Sequence, residues 1–174
     1  NDLGYLFGPI LNSGGRLGHS IYATQVLSSN DVEIVKKFTF ELFKLNNKRK
    51  VIETATLNEI DFDKIDKDNN DVVIYYNSNI NEGLIGIIAA RLTDHFNKPS
   101  LVITSSGKVL KGSARSIYNY NIGAAIKKAL DKNILLGGGG HIMAAGFTLD
   151  KSKLKKFKEF ISKDFIATKS NIAK

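Results

Sequence analysis

Four consecutive glycines run directly into a histidine at Gly137-Gly138-Gly139-Gly140-His141. Such a run loses backbone entropy on folding and contributes no side chain to a core. It is useful where backbone N–H groups must approach a ligand closely, and the natural ligand is a phosphate. His141 can donate to the same anion. Ala144-Ala145-Gly146 keeps the next segment small enough to lie against another backbone. A flexible surface loop would also be glycine-rich, but it would have no use for the histidine and the tight strand behind it. A second candidate is Lys111-Gly112-Ser113-Ala114-Arg115-Ser116. On a strand, alternate residues share a face, so Lys111, Ser113 and Arg115 point the same way. A hydroxyl and a guanidinium fork on one face make a phosphate clamp. The alternative is an exposed, solvated strand. Arg16, close to Asn12 in a glycine-rich opening, can reach outward with little hindrance. Arg91, on a helix after Gly83, can face either solvent or a groove. The candidate phosphate-binding set is therefore Arg16, Ser113, Arg115, Gly138, Gly139, Gly140 and His141, with Asn12, Arg91 and Lys111 as further candidates.

No comparable case exists for a catalytic centre. There is no cysteine, which excludes a disulfide framework, a thiolate zinc site and a cysteine nucleophile. The histidines at 19, 95 and 141 are scattered. Asp94-His95 lacks a partner at helical spacing. A calcium loop starting at Asp66 fails, because its glycine would fall on Asp71 and its final glutamate on Asn77. The pattern describes a phosphate-binding surface without metal ligands of its own.

Several elements must position these residues. Gly8 to Gly18, with Pro9 and several glycines, predicts an irregular loop. A helix is predicted near Ser20, with His19 at its entry, and Ser29 or Asn30 would cap the next. That next helix is the longest, from Val32 to about Thr56, with apolar residues three, four and seven apart. Its stretch Asn46-Asn47-Lys48-Arg49-Lys50 is polar all round, as in a helix that bridges two domains. Residues 58–71, rich in aspartate, read as a solvated linker.

Beyond it, Val72 to Tyr76 predicts a strand, Gly83 to about Phe96 a helix ending near His95 and Pro99, and Ser100 to Thr104 a second strand. His95 is expected to interact with the helix C-terminus. Val109 to Ser116 is a third strand, Ile122 to Leu130 a helix, Gly137 to Gly140 a loop and Ala144 to Leu149 a final strand. Leu154, Phe157, Ile161 and Phe165 mark an amphipathic helix. Strands alternating with helices predict an α/β fold, a mixed sheet with flanking helices.

The 174 residues, 43% hydrophobic and 24% charged, suit an ordinary globular fold. No apolar run approaches the roughly 20 residues of a membrane helix, and a cytoplasmic protein is expected. The formal charge is +8, and residues 151–174 hold eight lysines against Glu159 and Asp164. This suits an anionic partner such as nucleic acid, or simply a lysine-coated helix. The chain opens on Asn1 and its single methionine is Met143, which reads as a fragment or a processed product.

Gly137-Gly138-Gly139-Gly140-His141-Ile142-Met143-Ala144-Ala145-Gly146 resembles the signature of the DHH-associated domain of the DHH phosphoesterase superfamily. Gly8 to Leu17, Glu82 to Leu92 and Lys111 to Ser116 resemble the RecJ family in order, so the resemblance covers about Gly8 to Leu149. It implies a 5′-to-3′ exonuclease acting on single-stranded DNA, with Mn2+ or Mg2+ held by a catalytic domain whose ligands lie upstream. It allows a single-stranded-DNA-binding protein and a helicase as partners. It assigns Arg16, Ser113, Arg115, the glycines through Gly140 and His141 to DNA phosphates, especially the 5′ end. In these terms residues 1–30 are a remnant of the catalytic domain, 31–57 a connecting helix, 58–71 a linker and 72–168 the DHH-associated domain. Where the family often carries Trp-His, this chain has Ile80 and Asn81. Two further readings are a DHH phosphodiesterase acting on short RNA or dinucleotides and a free-standing nucleic-acid-binding module. The Gly8–Arg16 loop and the long helix argue against the former, and the missing initiator methionine against the latter.

Overall fold

The structure is a computed structural model that describes residues 3–68 and 70–172. It divides into two compact units, Asn1–Glu59 and Ile60–Lys174.

The first unit is helical. A π-helical turn over Leu3–Phe7 leads into α1 (Gly8–Arg16), α2 (Ile21–Ser28) and α3 (Val32–Asn58). The glycine-rich opening is thus a helix, not the irregular loop its composition predicts. Pro9 sits in the first turn, where its fixed φ suits a helix. Ser13 is buried and donates to the Ile10 carbonyl at 2.6 Å and to the Leu42 carbonyl of α3 at 3.1 Å. A methyl group on Gly14 would come within 2.6 Å of the His19 carbonyl oxygen and 3.1 Å of the Leu42 side chain. The small residues let α1 approach α3 closely, and that packing outweighs their poor helix propensity. Only Gly18, at φ +86°, leaves the helix by a left-handed turn.

The long helix arrives as expected, but its cap is Asp31, not Ser29 or Asn30. The Asp31 carboxylate accepts from the Glu33 amide at 2.8 Å. The stretch expected to be polar all round has a buried polar face. Arg49 donates to Asn46 at 3.1 Å and to Glu53 at 2.6 Å, and all three are buried.

The second unit begins at buried Ile60, and α4 (Phe62–Lys67) occupies part of the stretch expected to be solvated linker. Asp61 caps α4 through the Lys64 amide. The Phe62 ring packs on His95 and Phe96 at 4.8 and 5.7 Å, so the His95 ring has aromatic neighbours rather than only a helix terminus. The aspartates obscured this because the helix rests on one aromatic anchor.

The rest is a sheet of β1 (Val73–Tyr76), β2 (Ser100–Ser106), β3 (Val109–Arg115), β4 (Gly137–His141) and β5 (Ala144–Asp150). Its spatial order is β1-β2-β3-β5-β4. β1 and β2 are parallel, joined by the crossover helix α5 (Ile85–Phe96), and the other pairs are antiparallel. β2 and β3 form a hairpin whose turn starts at Gly107, φ +58°. α6 (Ile122–Asp131) joins β3 to β4, and α7 (Leu154–Ile172) follows a short 3-10 turn. This is the mixed sheet with flanking helices that the sequence predicts.

The two faces differ. Leu101, Ile103, Leu110, Phe147 and Leu149 form a core with Ile122 and Ile126 of α6 and Phe157 and Ile161 of α7. On the other face α5 packs on β2 and β3. Gly112 stands opposite Phe147, and a methyl group there would run into the Phe147 ring.

The glycine run is a strand, which corrects the loop expectation. Glycine is poor in strands, and here pairing with β5 and packing of α6 override that preference. A methyl on Gly138 would lie 2.9 Å from the Ile126 side chain, and one on Gly140 would collide with the Ala144 carbonyl oxygen. Those two are small because packing requires it. Gly137 and Gly139 alternate with them, and nothing lies within 4 Å of where their methyl groups would stand.

Candidate functional site

Register puts five of the ten candidates, Lys111, Ser113, Arg115, Gly139 and His141, on one face of the sheet, and Gly138 and Gly140 on the other. Arg115, Ala144 and His141 stand in one row, Ser113, Gly146 and Gly139 in the next, and Lys111, Thr148 and Gly137 in a third. Because side chains alternate, these residues all point away from the α6–α7 core. α5 covers this face chiefly over β2 and β3. Over the middle of β5 and β4 the paired Gly146 and Gly139 leave the face without side chains. Gly139 is open, and the nearest atom to a methyl on Gly146 would be 3.9 Å away. The result is a bare backbone floor with Ser113 and Arg115 on one side and His141 on the other. Arg115 and His141 are two strand spacings apart, about 10 Å between backbones.

Gly86 on α5 makes room for the Ser113 and Arg115 side chains. A methyl group there would stand 3.1 Å from the Arg115 guanidinium and 3.2 Å from the Ser113 hydroxyl. The half-buried Arg115 donates through Nη1 to Ser113 Oγ at 3.2 Å and to the Ala114 carbonyl at 2.9 Å. By accepting, Ser113 keeps its own hydroxyl proton to donate. Burial holds the Arg115 guanidinium below its ordinary pKa, though an arginine remains charged at neutral pH. A partly desolvated cation beside an open floor attracts an anion more strongly than a fully hydrated one.

His141 is exposed, and its Nδ1 accepts from the Met143 amide at 3.3 Å. An accepting Nδ1 puts the ring proton of a neutral imidazole on Nε2, leaving that N–H as an outward donor. The His141 backbone is itself fixed, since a methyl on Gly123 at the start of α6 would come within 2.8 Å of its carbonyl oxygen.

Lys111 shares the face but already holds Glu82 at 2.7 Å. That hydrogen bond, followed by one from Ser106, lowers the Glu82 pKa. Arg91 is not brought to the floor. It lies five residues from Gly86 on α5, about 140° around the helix, on the opposite flank. Asn12 and Arg16 belong to the first unit, one turn apart on α1. Asn81 accepts from the Gly83 amide at 2.8 Å and shapes the entry to α5. Neither Gly86 nor Gly146 is in the candidate phosphate-binding set, although Ala144-Ala145-Gly146 stands out as a run of small residues. Gly146 was legible as the partner of a glycine on an alternating strand, whereas Gly86 gave no signal without the helix packing.

Among the described residues no group of three or more histidine, cysteine or carboxylate side chains could hold a metal. No helix among them is long and apolar enough to cross a membrane.

Residues 69–167 match the DHHA1 domain. The chain is 30% identical over 167 residues to the single-stranded-DNA-specific exonuclease RecJ of Salmonella typhimurium, covering 91% of this chain and 29% of that protein. It is 32% identical over 150 residues to RecJ of Bacillus subtilis, covering 84% of this chain and 19% of that protein. It therefore spans less than a third of these relatives. The crystal structure of Thermus thermophilus RecJ in complex with Mn2+ superposes with a TM-score of 0.80 at 25% identity, over 92% of this chain and 24% of that one. With more than half of its residues matching that domain, the chain belongs to the DHHA1 domain family, and in sequence and fold it is similar to RecJ.

Proposed function

We propose that this chain is the substrate-binding part of a RecJ-like 5′-to-3′ exonuclease and holds the phosphates of single-stranded DNA. The observation that supports this best is the shared face of Ser113, Arg115 and His141 around the bare Gly139–Gly146 floor. A phosphate there would take the guanidinium fork, a hydroxyl proton and the imidazole N–H. Arg16 and Asn12 would contribute further phosphate contacts from the first unit, in which residues 1–30 are the end of a catalytic domain and 31–57 its connecting helix. Water activation would come from Mn2+ or Mg2+ bound outside this chain. Here the strand is positioned, which is itself a large part of catalysis. A single-stranded-DNA-binding protein and a helicase suit the whole protein as partners, in the cytoplasm.

Titration with 5′-phosphorylated single-stranded DNA tests the reading. Arg115→Ala should weaken binding by about 1–3 kcal/mol, the range for a charge-assisted hydrogen bond. The loss should be nearly equal for all base sequences, because phosphates carry no sequence information. Parent-like affinity in Arg115→Ala, with binding abolished by substitutions among the lysines after Lys151, would move the DNA site to the basic helix.

A further inference from the structure

We propose that Tyr118 stacks on a base of the bound strand, next to the phosphate floor; this rests on the single-stranded-DNA reading above. Tyr118 is 89% exposed, and two other large apolar side chains nearby, Ile142 and Met143, are 55% and 43% exposed. The fold gives none of the three a core position.

The segment that carries Tyr118 is tied at both ends to the β4–β5 turn. The Ser116 amide donates to the Met143 carbonyl at 3.0 Å, and the Ile122 amide donates to the Ile142 carbonyl at 3.2 Å. Inside the segment, Ser116 Oγ donates to the Tyr120 carbonyl at 2.6 Å, and the Tyr120 amide donates to the Ile117 carbonyl at 3.2 Å. Tyr120 is buried edge-on against Phe165 at 4.9 Å. Two tyrosines two residues apart therefore have opposite fates: one anchors the turn and the other is held out in water.

Position supplies the rest. Tyr118 is three residues beyond Arg115, a span of at most about 10 Å. The turn to which its segment is tied directly follows His141. An aromatic ring on a pinned turn loses little entropy when it captures a flat partner. Next to donors that suit a phosphate, the flat partner is a nucleobase, and stacking accepts any base because every base has a π-face. The floor grips phosphates, and Tyr118 adds a grip on bases that requires no sequence.

Two oligonucleotides of equal length and charge separate these contributions: a mixed-sequence strand and one built of abasic sites. The parent chain should bind the mixed strand more tightly. Tyr118→Ala should lose roughly five- to hundredfold on the mixed strand, the range of one stacked base, and nothing on the abasic strand. Tyr118→Phe should retain the parent's affinity for both. Arg115→Ala should weaken both strands alike. Tyr118→Ala equal to the parent on the mixed strand, or weakened equally on both strands, would overturn the stacking role while the Arg115 result upholds phosphate binding. A parent chain that binds neither strand would overturn both readings.

Discussion

Gly139 and Gly146 are cross-strand partners, and a methyl group on either would meet no atom closer than 3.9 Å. A sheet face with two neighbouring glycines has a hole in its side-chain layer, and this one is bounded by Ser113 and Arg115. The four glycines of β4 therefore have two different reasons to be glycine.

Substitutions along β4 should separate those reasons. Gly139→Ala should leave the fold as stable as the parent or raise its stability by about 0.5–1 kcal/mol, because the backbone entropy cost falls and nothing is struck. Gly140→Ala should destabilise by about 1–3 kcal/mol, because the methyl meets the Ala144 carbonyl. Gly139→Val should retain the fold and weaken DNA binding by filling the floor. Denaturant midpoints and DNA titrations on the same preparations check all three. A Gly139→Val chain with parent-like affinity would show that the phosphate lies elsewhere.

Gly86→Ala should move stability and binding in opposite directions. Alanine in place of glycine within α5 favours the helix by about 0.8–1 kcal/mol. The same methyl pushes on the Arg115 guanidinium and the Ser113 hydroxyl. The expected outcome is an unchanged or higher melting temperature with reduced affinity for single-stranded DNA. Loss of both together would mean that Gly86 serves packing alone.

Arg115→Lys should recover only part of what Arg115→Ala loses, since an ammonium cannot make the bidentate contact. Substituting lysines on α7 should instead reduce the slope of affinity against salt, as expected when cations act through the general field. Titrations at two ionic strengths distinguish the two patterns.

Tyr120 gives the fold an alkaline limit. Its hydroxyl donates to Asp164 at 3.1 Å, and burial, followed by the Asp164 charge, raises its pKa. A folded-state pKa above the unfolded value of about 10 means that the contribution is complete below pH 10 and is lost as pH rises further. Tyr120→Phe should cost about 1 kcal/mol near neutrality and flatten the fall in stability that sets in above about pH 10. Urea melts of both chains across that range measure it.

Much of this was legible from residue types. Period-two alternation put Lys111, Ser113 and Arg115 on one face, and the glycine run marked a close approach. The failures share one cause. In Gly8–Arg16 and Gly137–Gly140, glycine was read as a signal for irregular backbone, whereas Gly14 and Gly140 are small because another backbone lies against them. Local propensity carries no record of a neighbour that arrives from Leu42 or from Ala144. The helix α4 was hidden for a similar reason, since Phe62 finds its partners only on α5. Position on a helix flank, which separates Arg91 from Gly86, becomes legible only once the packed face is known.

The sheet order has a consequence for when the floor comes into being. Ser113 and Arg115 lie on a hairpin that closes over the short turn at Gly107, a local event. The glycine half joins them only after residues 116–143 have been folded back through α6 to bring β5 alongside β3. Closing that longer loop costs more entropy, so the hairpin that carries Arg115 is expected to form before the glycine half joins it. A ligand that needs both halves binds only the finished arrangement and selectively holds the later-joining one. Amide exchange should therefore slow along Gly139–Ala145 when an oligonucleotide binds, while the β2–β3 hairpin keeps its free rate.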